Sequence, residues 1–308
     1  MVSGCQVTLW VSGYGCHGMR YEGWLGGGSN HKPLVTIEVR IDGRRIDEGP
    51  AFVDTGADTT AVPEMFAERL GVEVTEVVPT SNEVGGRRLW GGGGKRPIRQ
   101  AGLELWHRGT RFCDVVVVAP GSFRVPILGR ADFFACHTID FLWQKSPPEF
   151  HVSRPNKARQ LEGGTELEAR SLGLGEERPW VPIEVRANGL AKRIWAIVDS
   201  GAERTILPAE EVADLGNKYE ELETSTSNEA SFHGLFGAVE MRPCAGEVYR
   251  FDEATGDVAE LVRPDLLVAA PGRFPTAALG RADFFRLHAI RFEWHRSPPR
   301  FRLLPIDA

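Results

Sequence analysis

Apolar and polar residues alternate along two stretches of the chain that resemble each other. Residues 36–43 read Thr-Ile-Glu-Val-Arg-Ile-Asp-Gly, and residues 182–189 read Pro-Ile-Glu-Val-Arg-Ala-Asn-Gly. A period of two is typical of a strand with one buried face, and each stretch stops at a turn signal. The pattern therefore predicts that each stretch is the first strand of a β-hairpin.

The partner strand of each hairpin is predicted to end in a short apolar run that is followed by an acidic motif. The two runs with their motifs are Ala51-Phe52-Val53 before Asp54-Thr55-Gly56-Ala57, and Ala196-Ile197-Val198 before Asp199-Ser200-Gly201-Ala202. A short helix is predicted next in each copy, over 63–70 and 208–215. Proline suits the first helical turn, and the glycine that follows each segment suits the C-terminal cap.

Later motifs recur in the same order, so the chain contains two copies of one unit. Each copy has a glycine-rich stretch and then the block Leu-Gly-Arg-Ala-Asp-Phe-Phe, at 128–134 and 279–285. The acidic motifs are 145 residues apart, whereas these blocks are 151 residues apart. The second copy therefore carries extra residues, which we place in a hairpin around 252–260.

The repeat divides the chain into two predicted domains, at 32–153 and 180–308. Residues 154–179 are polar and charged, which is typical of a linker. Residues 1–31 form a glycine-rich N-terminal extension, compatible with disorder, for which we find no counterpart in the second copy.

Composition and charge narrow the class of protein. The chain has 308 residues, of which 42% are hydrophobic, as in ordinary globular proteins. A net charge of −6 argues against a nucleic-acid partner. Five cysteines, odd in number and sparse, predict reduced thiols. No apolar stretch is long enough to span a bilayer and no signal peptide is recognisable, so we expect a cytoplasmic protein without a membrane partner.

The order of these motifs resembles that of the retropepsin-like aspartic proteases. The resemblance covers residues 32–152 and again 180–304, and it rests on the pairing of Asp-Thr/Ser-Gly-Ala with a downstream Leu-Gly-Arg in each copy. Family members are usually single units that dimerise, whereas this chain holds both halves. The resemblance implies a mostly β fold of two retropepsin-like β-barrel lobes with short helices, related by a pseudo-twofold axis, with an active site between them.

The resemblance also implies roles for particular residues. Asp54 and Asp199 would be the catalytic pair, and the glycine-rich stretches would be flaps over a peptide or protein substrate. Arginines that follow Leu-Gly would form structural ion pairs, Arg130 with Asp58 and Arg281 with Glu203. The predicted flap and substrate-binding residues are Gly85, Gly86, Trp90, Phe232, Gly234 and Phe236.

The chemistry of peptide hydrolysis suits the repeated motif. Two carboxyls held about 3 Å apart share one proton, so one is the base and the other the acid. Thr55 and Ser200 supply hydroxyls that can bond across the junction, and Gly56 and Gly201 offer N–H donors to the carboxylates. Ala57 and Ala202 add no further hydroxyl, so we expect activity at mildly acidic to near-neutral pH.

No metal or other cofactor is expected. His137 and His288 recur in the two copies, but no acidic or cysteine partner lies at ligand spacing. The sequence therefore predicts an aspartic endopeptidase that is a monomer with an intramolecular pseudo-dimer. Two alternatives stay open: a non-catalytic peptide-binding or scaffold module, and pairing of each half with a half from another chain.

Overall fold

The structure is a computed structural model that describes residues 19–20, 22–23, 31–77, 98–119, 123–145, 148–157, 163–172, 177–223, 231–234, 237–253, 255–272, 274 and 276–304. Across these residues the chain is mostly β, with short helices between the strands. The strands form one large sheet in each half of the chain, a third sheet to which both halves contribute, and a small two-stranded sheet. The prediction of a mostly β fold of two lobes with short helices is confirmed.

The first half forms lobe 1, a seven-stranded sheet in the order β4-β5-β10-β6-β9-β8-β7. Pairing of β4 with β8 bends this sheet back on itself. The strands of this half are β1 (Met19–Arg20), β2 (Glu22–Gly23), β3 (His31–Lys32), β4 (Leu34–Ile41), β5 (Arg44–Val53), β6 (Ala61–Pro63), β7 (Val74–Val77), β8 (Ile98–His107), β9 (Thr110–Ala119), β10 (Ile127–Leu128), β11 (Thr138–Leu142) and β12 (Glu149–Ser153).

The second half forms lobe 2, in which a sheet ordered β16-β19-β18-β14-β15-β20 has β17 paired to β18. Its β14–β18 pairing is the counterpart of β4–β8. The strands are β13 (Thr165–Glu168), β14 (Trp180–Ala187), β15 (Leu190–Val198), β16 (Leu207–Pro208), β17 (Ser231–Gly234), β18 (Gly237–Phe251), β19 (Val258–Ala269), β20 (Ala277–Leu279), β21 (Ala289–Glu293) and β22 (Arg300–Leu304).

Both predicted hairpins are present, and their turns have the same backbone shape. Asp42 and Gly43 have φ of 50° and 73°, and Asn188 and Gly189 have φ of 52° and 76°. Two consecutive positive φ angles match the right-handed twist of the strands, and Asp-Gly and Asn-Gly adopt them readily. The extra residues of the second copy also lie where the offsets predict, because a turn over 252–257 joins β18 to β19.

The predicted helices form, although they are shorter than the sequence suggests. Helix α1 spans Glu64–Arg69 and helix α2 spans Ala209–Ala213, each with proline as its N-cap residue. The Leu-Gly-Arg block opens a wide π-helical turn at Arg130–Phe134 in the first half, whereas helix α3 in the second half spans Phe284–Leu287.

Six strands from both halves form a sheet between the lobes, which we call the shared sheet. Its order is β1-β12-β11-β21-β22-β13, so each half supplies three strands. At its centre Ile139 faces Phe292 and Phe141 faces Ile290. Since residues 139 and 290 are equivalent in the two copies, as are 141 and 292, this register defines a pseudo-twofold axis between β11 and β21.

The N-terminal extension and the linker both contribute to the shared sheet. Strand β1 pairs with β12, and strand β13 pairs with β22, at equivalent places in the two halves. In the first half, strand β2 pairs with β3. In the second half, Arg170 pairs with Arg178 at the equivalent position. The described parts of these segments therefore correspond to each other. The expectation that the extension has no counterpart was wrong, because strand pairing reveals the match whereas the side chains differ.

Phenylalanines from the Leu-Gly-Arg blocks and the shared sheet fill the space between the halves. Phe134 meets Phe292 edge-on with 5.7 Å between ring centroids, and Phe141 meets Phe285 at 5.4 Å. All four rings are fully buried. Burial of such rings stabilises the junction by roughly 2 kcal/mol per side chain, which keeps the strand ends of the two lobes together.

Candidate active site

The two acidic residues of the repeated motif meet between the lobes. Each follows the last residue of a hairpin strand, β5 or β15. The Asp54 N–H donates to the carbonyl of Leu128 at 3.1 Å, and the Asp199 N–H donates to that of Leu279 at 3.0 Å. The two carboxyl groups lie within hydrogen-bonding distance of each other. The folded chain therefore brings one carboxyl from each lobe to a single place.

Glycine is required two residues after each aspartate because the opposite carboxyl lies against it. A Cβ on Gly56 would lie 2.6 Å from Oδ1 of Asp199, and a Cβ on Gly201 would lie 2.6 Å from Oδ1 of Asp54. Each glycine also donates its N–H to the carboxyl of its own loop, at 2.8 Å for Asp54 and 2.7 Å for Asp199. The missing side chain and the backbone donor both hold the carboxyls in place.

The environment of Asp54 favours its protonated form. Burial raises the pKa of Asp54 well above its ordinary value, and the charge of Asp199 and the hydrogen bond between the two carboxyls raise it further. The N–H of Gly56 and the charge of Arg130 act in the opposite direction and are smaller. Two carboxyls at this separation cannot both ionise cheaply, so the pair holds a proton.

Two hydroxyl residues connect the loops behind the carboxyls. Thr55 Oγ1 donates to the carbonyl of Val198 at 2.8 Å and accepts from the Ser200 N–H at 2.7 Å. Ser200 Oγ donates to the carbonyl of Val53 at 2.9 Å and accepts from the Thr55 N–H at 2.9 Å. Both residues are completely buried, so these four bonds fix the relative positions of the two loops.

Buried arginines of the Leu-Gly-Arg blocks hold the backbone of the same loops. Arg130 donates to the carbonyl of Thr55 and forms an ion pair with Asp58. Arg281 donates to the carbonyl of Ser200 in the equivalent position. Both side chains also lie near aromatic rings of the other half, Arg130 5.6 Å from Trp294 and Arg281 5.6 Å from Trp143.

A second cation joins each arginine site from the start of the opposite lobe. Arg178 donates to Oδ2 of Asp58 at 2.8 Å, so this carboxylate binds two buried guanidiniums. In the second lobe Lys32 takes the equivalent place, beside Arg281 and Glu203. Burial lowers the pKa of Lys32, the charge of Arg281 lowers it further, and that of Glu203 opposes both.

Sequence reasoning missed several of these supporting residues. Lys32-Pro33 and Arg178-Pro179 are matching dipeptides at the start of each copy, and the match could have identified both cations. Asp132 was seen only as part of a repeated block. Its Oδ2 accepts from the Thr59 hydroxyl at 2.8 Å and from the Thr60 N–H at 2.7 Å, which ties the block to the acidic loop.

The predicted flap residues are described only in part. Phe232 and Gly234 belong to β17, which pairs with β18 to form a hairpin in lobe 2. Gly85, Gly86, Trp90 and Phe236 lie outside the described residues.

Ala57 and Ala202 lie in the acidic loops. The carbonyl of Ala57 accepts a hydrogen bond from the backbone N–H of Arg130, and the carbonyl of Ala202 accepts one from the backbone N–H of Arg281, at 3.0 Å in both cases.

The site consists of carboxyl, hydroxyl and backbone groups. Within the described residues, no three His, Cys, Asp or Glu side chains lie close enough together to hold a metal ion. None of the helices in the described part of the chain has the length and apolar character that a membrane crossing requires. A pair of carboxyls that share a proton can act as acid and base in one reaction.

Comparisons with known proteins give matches among solved structures but none among family models or curated proteins. No protein-family model matches the chain, and no curated protein matches it. Among solved structures, the chain is similar to a retropepsin-like aspartic protease from Rickettsia conorii, with 18% sequence identity and a TM-score of 0.30. The match covers 98% of that protein but 46% of this chain.

Proposed function

We propose that this chain is an aspartic endopeptidase in which Asp54 and Asp199 activate one water molecule for attack on a peptide bond. The observation that carries the proposal is the contact between the two carboxyls, together with the raised pKa of Asp54. Burying two acids against each other destabilises a fold unless they share a proton, and acids with strongly shifted pKa values cluster at functional sites. Their glycine and hydroxyl supports are duplicated as well.

The proposed reaction needs no covalent bond between the protein and its substrate. Asp199 takes a proton from the water molecule as the water oxygen bonds to the peptide carbon. At the same time protonated Asp54 donates its proton to the carbonyl oxygen, which gives a tetrahedral intermediate with two hydroxyl groups. Asp199 then gives its proton to the peptide nitrogen as the C–N bond breaks. Asp54 recovers a proton from the hydroxyl of the intermediate. Atoms and charge balance, and the pair returns to its singly protonated state.

The proton assignment sets the expected pH dependence. Activity requires one ionised and one protonated carboxyl. Because the pKa of Asp54 is raised, the protonated acid persists above the pH at which an ordinary carboxyl ionises. Activity is therefore expected at mildly acidic to near-neutral pH, and it should fall as the pH rises through the pKa of Asp54. A rate that peaks only below about pH 3 would contradict this assignment.

A non-catalytic peptide-binding module is the second candidate, since a protein can retain its fold after it has lost catalytic activity. Both acidic motifs are intact and all four hydroxyl bonds are present, which favours the enzyme. The three described cysteines, Cys113, Cys136 and Cys244, are not in disulfide bonds, which supports action in a reducing compartment such as the cytoplasm.

The deciding experiment is cleavage of a mixed peptide library by the wild type, Asp54→Asn and Asp199→Asn. Each substitution removes one titrating group from the pair, so each alone is expected to lower kcat/KM by a factor on the order of 10³ or more. The products are identified by mass spectrometry, and circular dichroism verifies that the variants fold.

Asp42→Asn is the matched control, because Asp42 is an exposed turn residue and its equivalent in the second copy is already Asn188. This variant should cleave like the wild type. Retained turnover in either active-site variant would contradict the shared pair. A wild type that binds peptides without cleaving them would support the binding module.

A further inference from the structure

The pseudo-twofold axis passes through a pair of equivalent residues that carry opposite charges. Asp140 lies eleven residues after Gly129, and Arg291 lies eleven residues after Gly280. The two residues are direct partners across β11 and β21. In an assembly of two identical units, a residue at this position would face its own copy.

The pair has the geometry of a strong ion pair. Arg291 Nε donates to Oδ1 of Asp140 at 2.6 Å, and Nη2 donates to Oδ2 at 2.7 Å. The exposed fractions of the two side chains are 6% and 13%. Two parallel bonds of this kind are directional, and burial limits screening by salt. A charge at this place therefore needs an opposite charge beside it.

Pairing of like units would reverse this energetic effect. Two first halves joined through β11 would place Asp140 against Asp140, and two second halves joined through β21 would place Arg291 against Arg291. Like charges directly opposite each other on paired strands are destabilising, and a buried unpaired charge is more so.

The outer strands of the shared sheet show the same reversal. In the first half Arg20 of β1 is the register partner of Glu149 of β12. At the equivalent positions of the second half, Glu168 of β13 is the register partner of Arg300 of β22 and forms an ion pair with it at 3.6 Å. If β13 paired with β12 instead of β22 in the same register, Glu168 would meet Glu149. The charge order therefore also favours the observed partner for each outer strand.

We propose that the charges of the shared sheet make the two halves complementary to each other and not to themselves, so that each half accepts only the unlike half as its partner. The partner surface is the edge of β11 or β21 with the opposite charge at the axis. The proposal does not depend on peptide cleavage, because it concerns assembly alone.

The test uses two full-length variants that place like charges across the axis, Asp140→Arg and Arg291→Asp. Each is expected to lower the thermal unfolding midpoint by on the order of 10 °C, because one member of a buried pair becomes a repelling charge. The double variant restores opposite charges in reversed order and is expected to recover most of the loss.

Partner choice is then measured by unfolding and refolding the two single variants together. Lobe 1 of each variant now complements lobe 2 of the other, so the expected product has twice the mass of one chain and contains both variants. Isotope labelling of one variant lets native mass spectrometry read the composition. The wild type and the double variant, treated in the same way, should stay at the mass of one chain.

Asp47→Arg is the matched control, because it opposes Arg69 within lobe 1 on a largely exposed surface. This variant should unfold near the wild-type midpoint and should not assemble on mixing. The proposal is overturned if the like-charge variants are as stable as the wild type, if the double variant recovers nothing, or if the mixture holds no species with both variants. A dimer formed by one like-charge variant alone would also overturn it. No readout uses turnover, so these results are separate from those that test the peptidase.

Discussion

Lobe 1 and lobe 2 hold the candidate active site in the same way but surround it with different charges. Around the carboxyls the two copies match: the hydroxyl bonds cross in both directions, and Arg130 and Arg281 each bind a loop carbonyl. Behind these groups, Asp58 binds two buried guanidiniums, whereas its equivalent Glu203 is exposed. The lobes therefore agree in the groups that hold the two carboxyls, and they differ in the ion pairs behind those groups.

Ion pairs on the outer surfaces of the two lobes also differ in the order of their charges. Asp47 pairs with Arg69 at 2.5 Å in lobe 1, and at the same positions Lys192 pairs with Asp214 in lobe 2. The contact is kept while its polarity is reversed. An ion pair within one lobe is satisfied in either order, so only pairs that cross the pseudo-twofold axis restrict how the halves combine.

The largest expected difference between the lobes concerns the acid behind each active-site loop. Asp58→Asn leaves Arg130 and Arg178 buried without their carboxylate, so we expect a loss of about 3–5 kcal/mol in the free energy of unfolding. Glu203→Gln changes an exposed residue and should cost about 1 kcal/mol or less. Urea denaturation of both variants measures the difference, and equal losses would show that the two acids do the same work.

Acid sensitivity provides the second comparison. Burial lowers the pKa of His107 to about 4, although its Nδ1–H donates to the carbonyl of Thr36 and so favours the charged form. Burial also lowers the pKa of His137 in the same lobe, and that of its equivalent His288 in lobe 2 to about 4. Among the side chains that the structure describes, lobe 1 thus buries two neutral imidazoles, whereas lobe 2 buries one, at the position equivalent to His137.

The lowered pKa of these histidines determines how stability changes with pH. Above about pH 6.5 the imidazole is neutral in both states, and as the pH falls toward 4 the unfolded chain gains a proton that the folded lobe does not accept. Each of His107 and His288 should then cost roughly 3 kcal/mol of stability between these limits. His107→Phe should lose less stability across this range than the wild type. A wild-type unfolding free energy that is flat from pH 6.5 to 4 would contradict the assignment.

The smallest effect is expected at the reversed surface pairs. Asp47→Asn in lobe 1 and Asp214→Asn in lobe 2 each remove one member of a solvent-exposed ion pair. Each should change the free energy of unfolding by about 0–1 kcal/mol, and less at high salt. Thermal unfolding at two salt concentrations measures this. A loss above about 2 kcal/mol in either lobe would show that the surface pair is part of the packed structure.

Local patterns in the sequence predicted most of the secondary structure. The alternating stretches form β4 and β14, the Asp-Gly and Asn-Gly turns follow them, and Pro63 precedes α1. These features depend on a few adjacent residues, whose preferences act over one turn or one strand. The helices were predicted two and three residues too long, because proline lies at the N-cap and glycine after the last turn.

Contacts between distant residues were harder to predict. The sequence suggested the Arg130–Asp58 pair through a resemblance, but it did not reveal that Arg178 binds the same carboxylate across 120 residues of chain. It also assigned β1 and β13 to an extension and a linker. Both strands are short and their side chains differ, so only their pairing with β12 and β22 makes the equivalence visible.

By itself the sequence determined that one unit occurs twice, that each copy is built of strands, and that each carries an acid at the end of a buried strand. Only the tertiary structure decided that Asp54 and Asp199 meet, and that Asp140 faces Arg291 rather than another carboxylate. The physical reason is range. Side-chain alternation and turn preferences act between neighbours in the chain, whereas the proton shared by two carboxyls and the charge balance at the axis depend on groups that only folding brings within a few ångströms of each other.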